Sequence, residues 1–269
     1  MDTQLAIICA LTFIIHLIGT LAYAVRIAGV RTRRIAVSFA LFNILILISR
    51  TSNSFQGPFL AKRIEENINQ GITHGLLSDF RWILLSASAA TLVGAFLIPT
   101  FQRVFSRAVI HFQVHRSLSR LLLRGLFKGG LAQLKDLASI PAPANLSQMR
   151  IGHGITPWII VLNVSAIALW TIGVFASLYA GYLKPELRVT SSTLSSVVNG
   201  VATIMMFICI DPHLSVMTDD VIEGKSSESQ FRKAIVWLVG SRLMGTLLAQ
   251  ALLVRGDGHR PCRRDCVAM

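Results

Sequence analysis

Six apolar stretches limit what this chain can fold into more than any other feature. Crossing a hydrocarbon core of ~30 Å takes roughly 20 helical residues. The stretches run Thr3 to Val25, Ile35 to Ser49, Trp82 to Phe101, Pro157 to Leu183, Thr193 to Ile210 and Ala234 to Val254. Lipid offers no partner for backbone N–H and C=O groups, so spans of this length must be helical. The second is short unless it continues through Arg50. Composition agrees, with 14% charged residues against roughly 25% in a soluble domain and a mean hydropathy of +0.60. The expected fold is all-α, a multi-pass membrane protein of about six transmembrane helices, and a water-soluble globule is excluded.

Basic residues orient the spans. No basic residue precedes Thr3, whereas Arg26, Arg31, Arg33 and Arg34 follow the first span, the reverse of a secretory signal peptide. With that flank in the cytoplasm the N-terminus is extracytoplasmic, and fifteen of the 26 Lys and Arg fall inside, ten outside and Arg242 within a span. The localisation expected is the inner (plasma) membrane. The net charge of +13 is assigned to the membrane surface, and no nucleic-acid partner is expected.

Between the third and fourth spans, Arg103, Arg107, His111 and His115 recur every four residues, followed by Arg116, Arg120, Arg124 and Lys128 with apolar residues between them. The pattern predicts a basic amphipathic helix on the cytoplasmic leaflet, drawn to anionic lipids at ~1 kcal/mol per cation; plain topology anchoring is the simpler explanation, since any cytoplasmic loop of a membrane protein is expected to be basic. Ser139 to Ser147, with Pro141 and Pro143, breaks it. Four parts follow: a first three-helix half over 1–101, the basic helix and linker over 102–150, a second three-helix half over 151–254 and a polar tail over 255–269. The halves align weakly. Tyr23 to Asn43 matches Tyr179 to Asn199 at an offset of 156, and Phe80-Arg81 through Gly94 matches Phe231-Arg232 through Gly245 at 151. Three spans per half would insert the second copy upside down, giving two inverted repeats with a substrate site near the midplane between them.

Polar residues inside the spans mark that site, because each costs free energy in lipid. Thr12, His16, Thr20 and Tyr23 fall on one face of the first span. His16 serves there either as an interhelical hydrogen-bonding residue or as a proton carrier. The second span runs through Asn43 into Arg50-Thr51-Ser52-Asn53-Ser54-Phe55-Gln56-Gly57-Pro58. If the helix continues, Asn43, Arg50 and Asn53 share a face and Gly57-Pro58 ends or kinks it; otherwise the tract is an outer loop. Ser192, Ser196, Asn199 and Thr203 form a stripe in the fifth span, which ends at Asp211-Pro212. Arg242 sits mid-span in the sixth, where insertion costs ~2.5 to 3.5 kcal/mol. No Asp or Glu lies within the six stretches. Its counter-charge therefore arrives with a substrate, unless backbone carbonyls or water supply it, and a guanidinium fork suits phosphate or diphosphate.

Other chemistries lack their residues. The chain has no GxxxxGK[ST] loop, GxSxG elbow, HExxH helix or paired acidic metal ligands beside the membrane. His111 and His115 have zinc-compatible spacing but no further ligands nearby. Cys9, Cys209, Cys262 and Cys266 give no disulfide framework. No cofactor, metal or catalytic residue is expected.

The stretch HLIGTLAYAVRIAGVRTRRIAVSFALFNILILISRTSNSFQGP, from His16 to Pro58, resembles the Amj-type lipid II flippases, the alternate bacterial flippase family of peptidoglycan synthesis. So do RAVIHF from Arg107, SLYAGYL from Ser177, Asn199-Gly200, Asp211-Pro212 and SRLMGTLLAQ from Ser241. The resemblance implies a transporter, not an enzyme, moving undecaprenyl-diphosphate-linked disaccharide-pentapeptide to the outer leaflet. It departs at Gly19, where the family pattern carries a glutamate, and in a tail with four arginines. The expected substrate-binding residues are Arg50 and Arg242 on the diphosphate, with Asn43, Asn53, Gln56, Asn199, His16 and Tyr23 lining the cavity. A membrane enzyme acting on lipid-linked phosphate and a non-transporting cell-wall scaffold are the competing readings, and a homo-oligomer stays open.

Overall fold

A computed structural model describes residues 2–70, 75–115 and 155–255. All of its regular structure is helical: α1 (Thr3–Thr32), α2 (Ile35–Asn69), α3 (Leu76–His115), α4 (Pro157–Leu183), a 3-10 turn (Pro185–Leu187), α5 (Arg188–Ile204), a π-type segment (Met205–Ile210), α6 (Asp211–Ile222) and α7 (Glu228–Arg255). Six stretches are long and apolar enough to cross a membrane, the fifth being the run from Pro185 to Ile222. The expected residues 116–150 of the basic helix and linker, and tail residues 256–269, lie outside the described part.

Local chemistry sets the ends of α1. The Leu5 backbone N–H donates to the Asp2 carboxylate at 2.8 Å, an N-cap. That bond, and then Arg63, hold the Asp2 carboxyl below its ordinary range. At the other end Arg33 takes the left-handed conformation at φ 52°, so the chain reverses into α2 within two residues. The hairpin is close because Gly29 carries no side chain against Ile35 and Ser38, and the Ser38 hydroxyl donates to the Val25 carbonyl at 2.8 Å.

Ion pairs define two opposite faces. On one, Arg63 binds Asp2 at 2.6 Å and Asp79 at 2.7 Å, and Arg188 faces Glu65 at 3.7 Å. On the other, Arg31 binds Glu228 at 2.8 Å. α1 starts on the Asp2 face, whereas α4 starts on the Arg31 face, where Ile159 packs with Ile27, Val30 and Phe231. Within the first half α1 packs on both α2 and α3; within the second α4 packs on both α5 and α7.

The first and third helices of each half run parallel, seated on a glycine. The Ser86 hydroxyl of α3 donates to the Cys9 carbonyl of α1 at 2.7 Å, and a β-carbon at Gly94 would come 2.8 Å from Thr20 Cβ. In the second half the Asn163 amide of α4 donates to the Leu238 carbonyl at 3.0 Å, and a β-carbon at Gly245 would come 2.8 Å from Ile167 Cβ. Gly94 and Gly245 are the residues paired at offset 151 in the sequence. Apolar clusters join the halves toward both faces, one around Phe231 and Leu238, the other around Phe80, whose ring lies 5.6 Å from that of Phe175.

Five of the six spans outrun their sequence-based bounds, α1 by seven residues at its end, α7 by six at its start, and three others by more. α2 continues beyond Ser49, through the polar tract and past Gly57-Pro58, to Asn69. Pro58 removes one backbone bond, but Gln56, Leu60 and Ile64 around it are anchored in the interior. α3 passes Pro99 and Phe101 without a break, because Phe105 and Val109 stay packed while Arg103 and Arg107 project outward. The fifth span continues through Asp211-Pro212, where Pro212 cannot donate to the preceding turn and the helix is widened to π geometry just before it.

Candidate functional site

α1 supplies the spine of the site. Thr12, His16, Gly19, Tyr23 and Arg26 recur at steps of four, three, four and three, which aligns them over roughly 21 Å of helix at 1.5 Å per residue. Near the Asp2 end the Gln56 amide of α2 donates to the Thr12 hydroxyl at 2.6 Å, drawing the polar tract of α2 onto this face. Near the Arg31 end Arg26 binds Asp211 at 2.7 Å and lies 5.1 Å above the Phe39 ring. Between them Tyr23 is within hydrogen-bond reach of Asn163, whose amide also donates to Ser241 at 2.7 Å.

A cavity of about 320 Å³, including its open mouth, faces this spine. α1 contributes Thr12 and His16, α2 contributes Asn53 and Gln56, α4 contributes Trp170 and Thr171, and α5 contributes Asn199. α2 and α5 form opposite walls without packing along each other. Both are peripheral: α5 buries only Ser191 and Ala202 of its seventeen residues, and α2 buries seven of 35. At 100° per residue, Arg50 and Asn43 lie beyond Asn53 on the same flank of α2, away from the face that meets α1. Ser196 and Thr203 share a flank of α5 with Asn199. The space between α2 and α5 is thus a slot with polar edges.

Arg242 lies deeper. Its exposure is 6%, and among the described residues it makes no hydrogen bond or ion pair, with Nε enclosed and unpartnered. The guanidinium covers the bare backbone of Gly19, where a β-carbon would overlap Nη2 and stand 2.9 Å from Cζ. His16 and Tyr23 are within its electrostatic reach. Two cavity atoms are likewise buried without partners, His16 Nδ1 and Asn199 Oδ1. Unsatisfied groups of this kind cost roughly 1–3 kcal/mol each, and they converge here.

Of the eight residues singled out from sequence, the cavity brings together His16, Asn53, Gln56 and Asn199. Arg242 and Tyr23 are buried behind it, and Asn43 and Arg50 are exposed on α2. Sequence reasoning missed Trp170, which looks like any apolar residue of its span. It also missed Asn163 and the buried Arg26, which read as part of a basic flank. The step pattern through Gly19 to Arg26 was the available signal for the last. Among the described residues no three His, Cys, Asp or Glu side chains gather as metal ligands do.

Comparison with known proteins fits this architecture. The family model described as "Amj: Alternate to MurJ" matches residues 11–256. The "Lipid II flippase Amj" of Bacillus subtilis (strain 168) is 35% identical over 257 residues, covering 94% of either chain. No solved structure matches. A match that runs from the first span through the last, with a relative 35% identical over the same length, makes this chain a member of the Amj family.

Proposed function

We propose that this chain is a flippase moving lipid II, a disaccharide-pentapeptide on undecaprenyl diphosphate, from the cytoplasmic to the outer leaflet of the inner membrane. The observation that carries the reading is Arg242, a buried guanidinium with no anionic partner among the described residues, beside a slot that opens between α2 and α5. Such a group accepts a diphosphate in bidentate fashion. The prenyl chain stays in lipid while the headgroup enters through the slot. Arg50, on the exposed flank of α2, meets the diphosphate at the mouth, and Asn43 lies about two turns along the same flank. His16, Asn53, Gln56 and Asn199 serve the rest of the headgroup, and Tyr23 orders the ground behind Arg242.

The Arg31 face is the cytoplasmic one in this reading, since Arg31, Arg33, Arg34, Arg103 and Arg107 gather there. The same charges attract anionic lipids to that leaflet. Two inverted repeats, 1–101 and 151–254, account for the opposite starting faces of α1 and α4 and for the glycine seat common to both halves. Rocking one half on the other would alternate access to the slot.

The test is exposure of lipid II on the outer leaflet in cells depleted of their other flippases. Expression of this chain is expected to restore it. Correct insertion with lipid II still confined to the cytoplasmic leaflet sinks the reading.

A further inference from the structure

Trp170 is an unusual residue for its position. It is the fourteenth of the 27 residues of α4, half-buried on the cavity wall. Tryptophans of membrane proteins gather at the two interfaces, where the ring is apolar and its N–H is wet. Trp82 and Trp158 follow that habit: both lie near helix ends and are 52% and 66% exposed. Trp237 lies three residues past the start of the sixth apolar stretch; the remaining indole, at mid-span on a polar cavity, calls for another explanation.

The cavity lining supplies it. Apart from His16, its polar residues are hydroxyls and amides, with no lysine, arginine or carboxylate. That set is poor for phosphate, which the guanidiniums of Arg242 and Arg50 serve better. It is well suited to a sugar, whose ring offers a C–H face to an aromatic plane and hydroxyls around its edge. Two amides stand at the cavity. Gln56 lines it while giving an N–H to Thr12, and Asn199 Oδ1 is buried without a partner. Gly173, one turn from Trp170, makes room for Asn199, since a β-carbon there would stand 2.8 Å from Oδ1.

We infer that Trp170 is the stacking platform for one sugar ring of the transported headgroup, with Gln56 and Asn199 receiving its hydroxyl or amide hydrogens. The inference rests on the flippase reading and deepens it. A sugar subsite here makes the protein discriminate glycosylated lipid diphosphate from the bare lipid diphosphate.

Two measurements test it. In proteoliposomes, Trp170→Ala is expected to slow lipid II transport by about tenfold, a factor within reach of one lost aromatic contact, while undecaprenyl diphosphate without sugar moves as in the unmodified protein. Trp170→Phe should recover part of the loss. Equal slowing of both lipids, or of neither, overturns the inference. Independently, the full chain carrying W82F, W158F and W237F retains Trp170 as its sole tryptophan. Saturable quenching or a spectral shift on adding the soluble headgroup disaccharide supports the platform, and an unchanged spectrum overturns it. Were the disaccharide to bind while lipid II stayed untransported, the flippase reading would fail and the sugar site would stand.

Discussion

Two arginines sit inside this bundle, and their surroundings differ. Arg26 of α1 has a side chain 10% exposed, a carboxylate at 2.7 Å and an aromatic ring beneath it. Arg242 of α7 is 6% exposed and, among the described residues, has none of these; it lies on a glycine, and its Nε, like Arg26 Nη1, is buried without a partner. Both act electrostatically on Tyr23, so they belong to one polar seam. Arg26 and Asp211 tie α1 to the start of α6, which makes their charges structural. Arg242 ties nothing together. A buried charge without a built-in partner costs stability, and it is explained by an anion that comes and goes.

That difference can be broken most directly at Arg242. Arg242→Ala is expected to abolish transport, a loss beyond about 100-fold given the 2–5 kcal/mol typical of a buried charged contact. The protein should still insert, and Arg242→Met, which keeps most of the packing, should melt no lower than the unmodified chain, since the ~2.5–3.5 kcal/mol burial cost disappears. Lipid II exposure and melting temperature are measured together. Normal complementation by the alanine variant would remove Arg242 from the mechanism.

Asp211→Asn is expected to do the converse. Arg26 would be left bare, and because Asp211 is itself 38% exposed the cost should be about 1–3 kcal/mol, below that of a fully buried pair. Melting in detergent should fall while transport per folded molecule stays constant. Lost transport at unchanged stability would place Asp211 among the substrate-handling groups and undo the contrast.

The number and class of the spans were legible because twenty apolar residues in a row have few other fates. Their ends were not. Arg50 to Gln56 left a continuing helix and an outer loop both open, because its polar residues need water or ligand; the helix continues past Pro58, and Asn53 and Gln56 line the cavity. Arg26 reads as flank because three more arginines follow it, and its partner Asp211 is 185 positions away, beyond any local pattern. Trp170 gave no sign, since an aromatic within an apolar run is ordinary until the cavity is seen. Arg242 was legible for the opposite reason, being a charge where none belongs. At Gly19 the resemblance already pointed to Arg242, since a carboxylate there would be a candidate partner for it, and the structure sets the guanidinium against that position.

Gly19 sharpens the comparison with the smallest change. A β-carbon there meets only the tip of Arg242, a flexible end that can shift, so overpacking should cost no more than about 1 kcal/mol. Alanine's advantage over glycine inside a helix, also about 1 kcal/mol, offsets it. Gly19→Ala should therefore leave the melting temperature nearly unchanged, yet slow lipid II transport several-fold by moving the guanidinium off its seat. Gly94→Ala is the control: its β-carbon would strike Thr20 Cβ at 2.8 Å, an atom fixed to the backbone, so stability should fall by about 1–3 kcal/mol and transport only with it. Should Gly19→Ala and Gly94→Ala behave alike, the guanidinium's position does not matter, and Arg242 is as structural as Arg26.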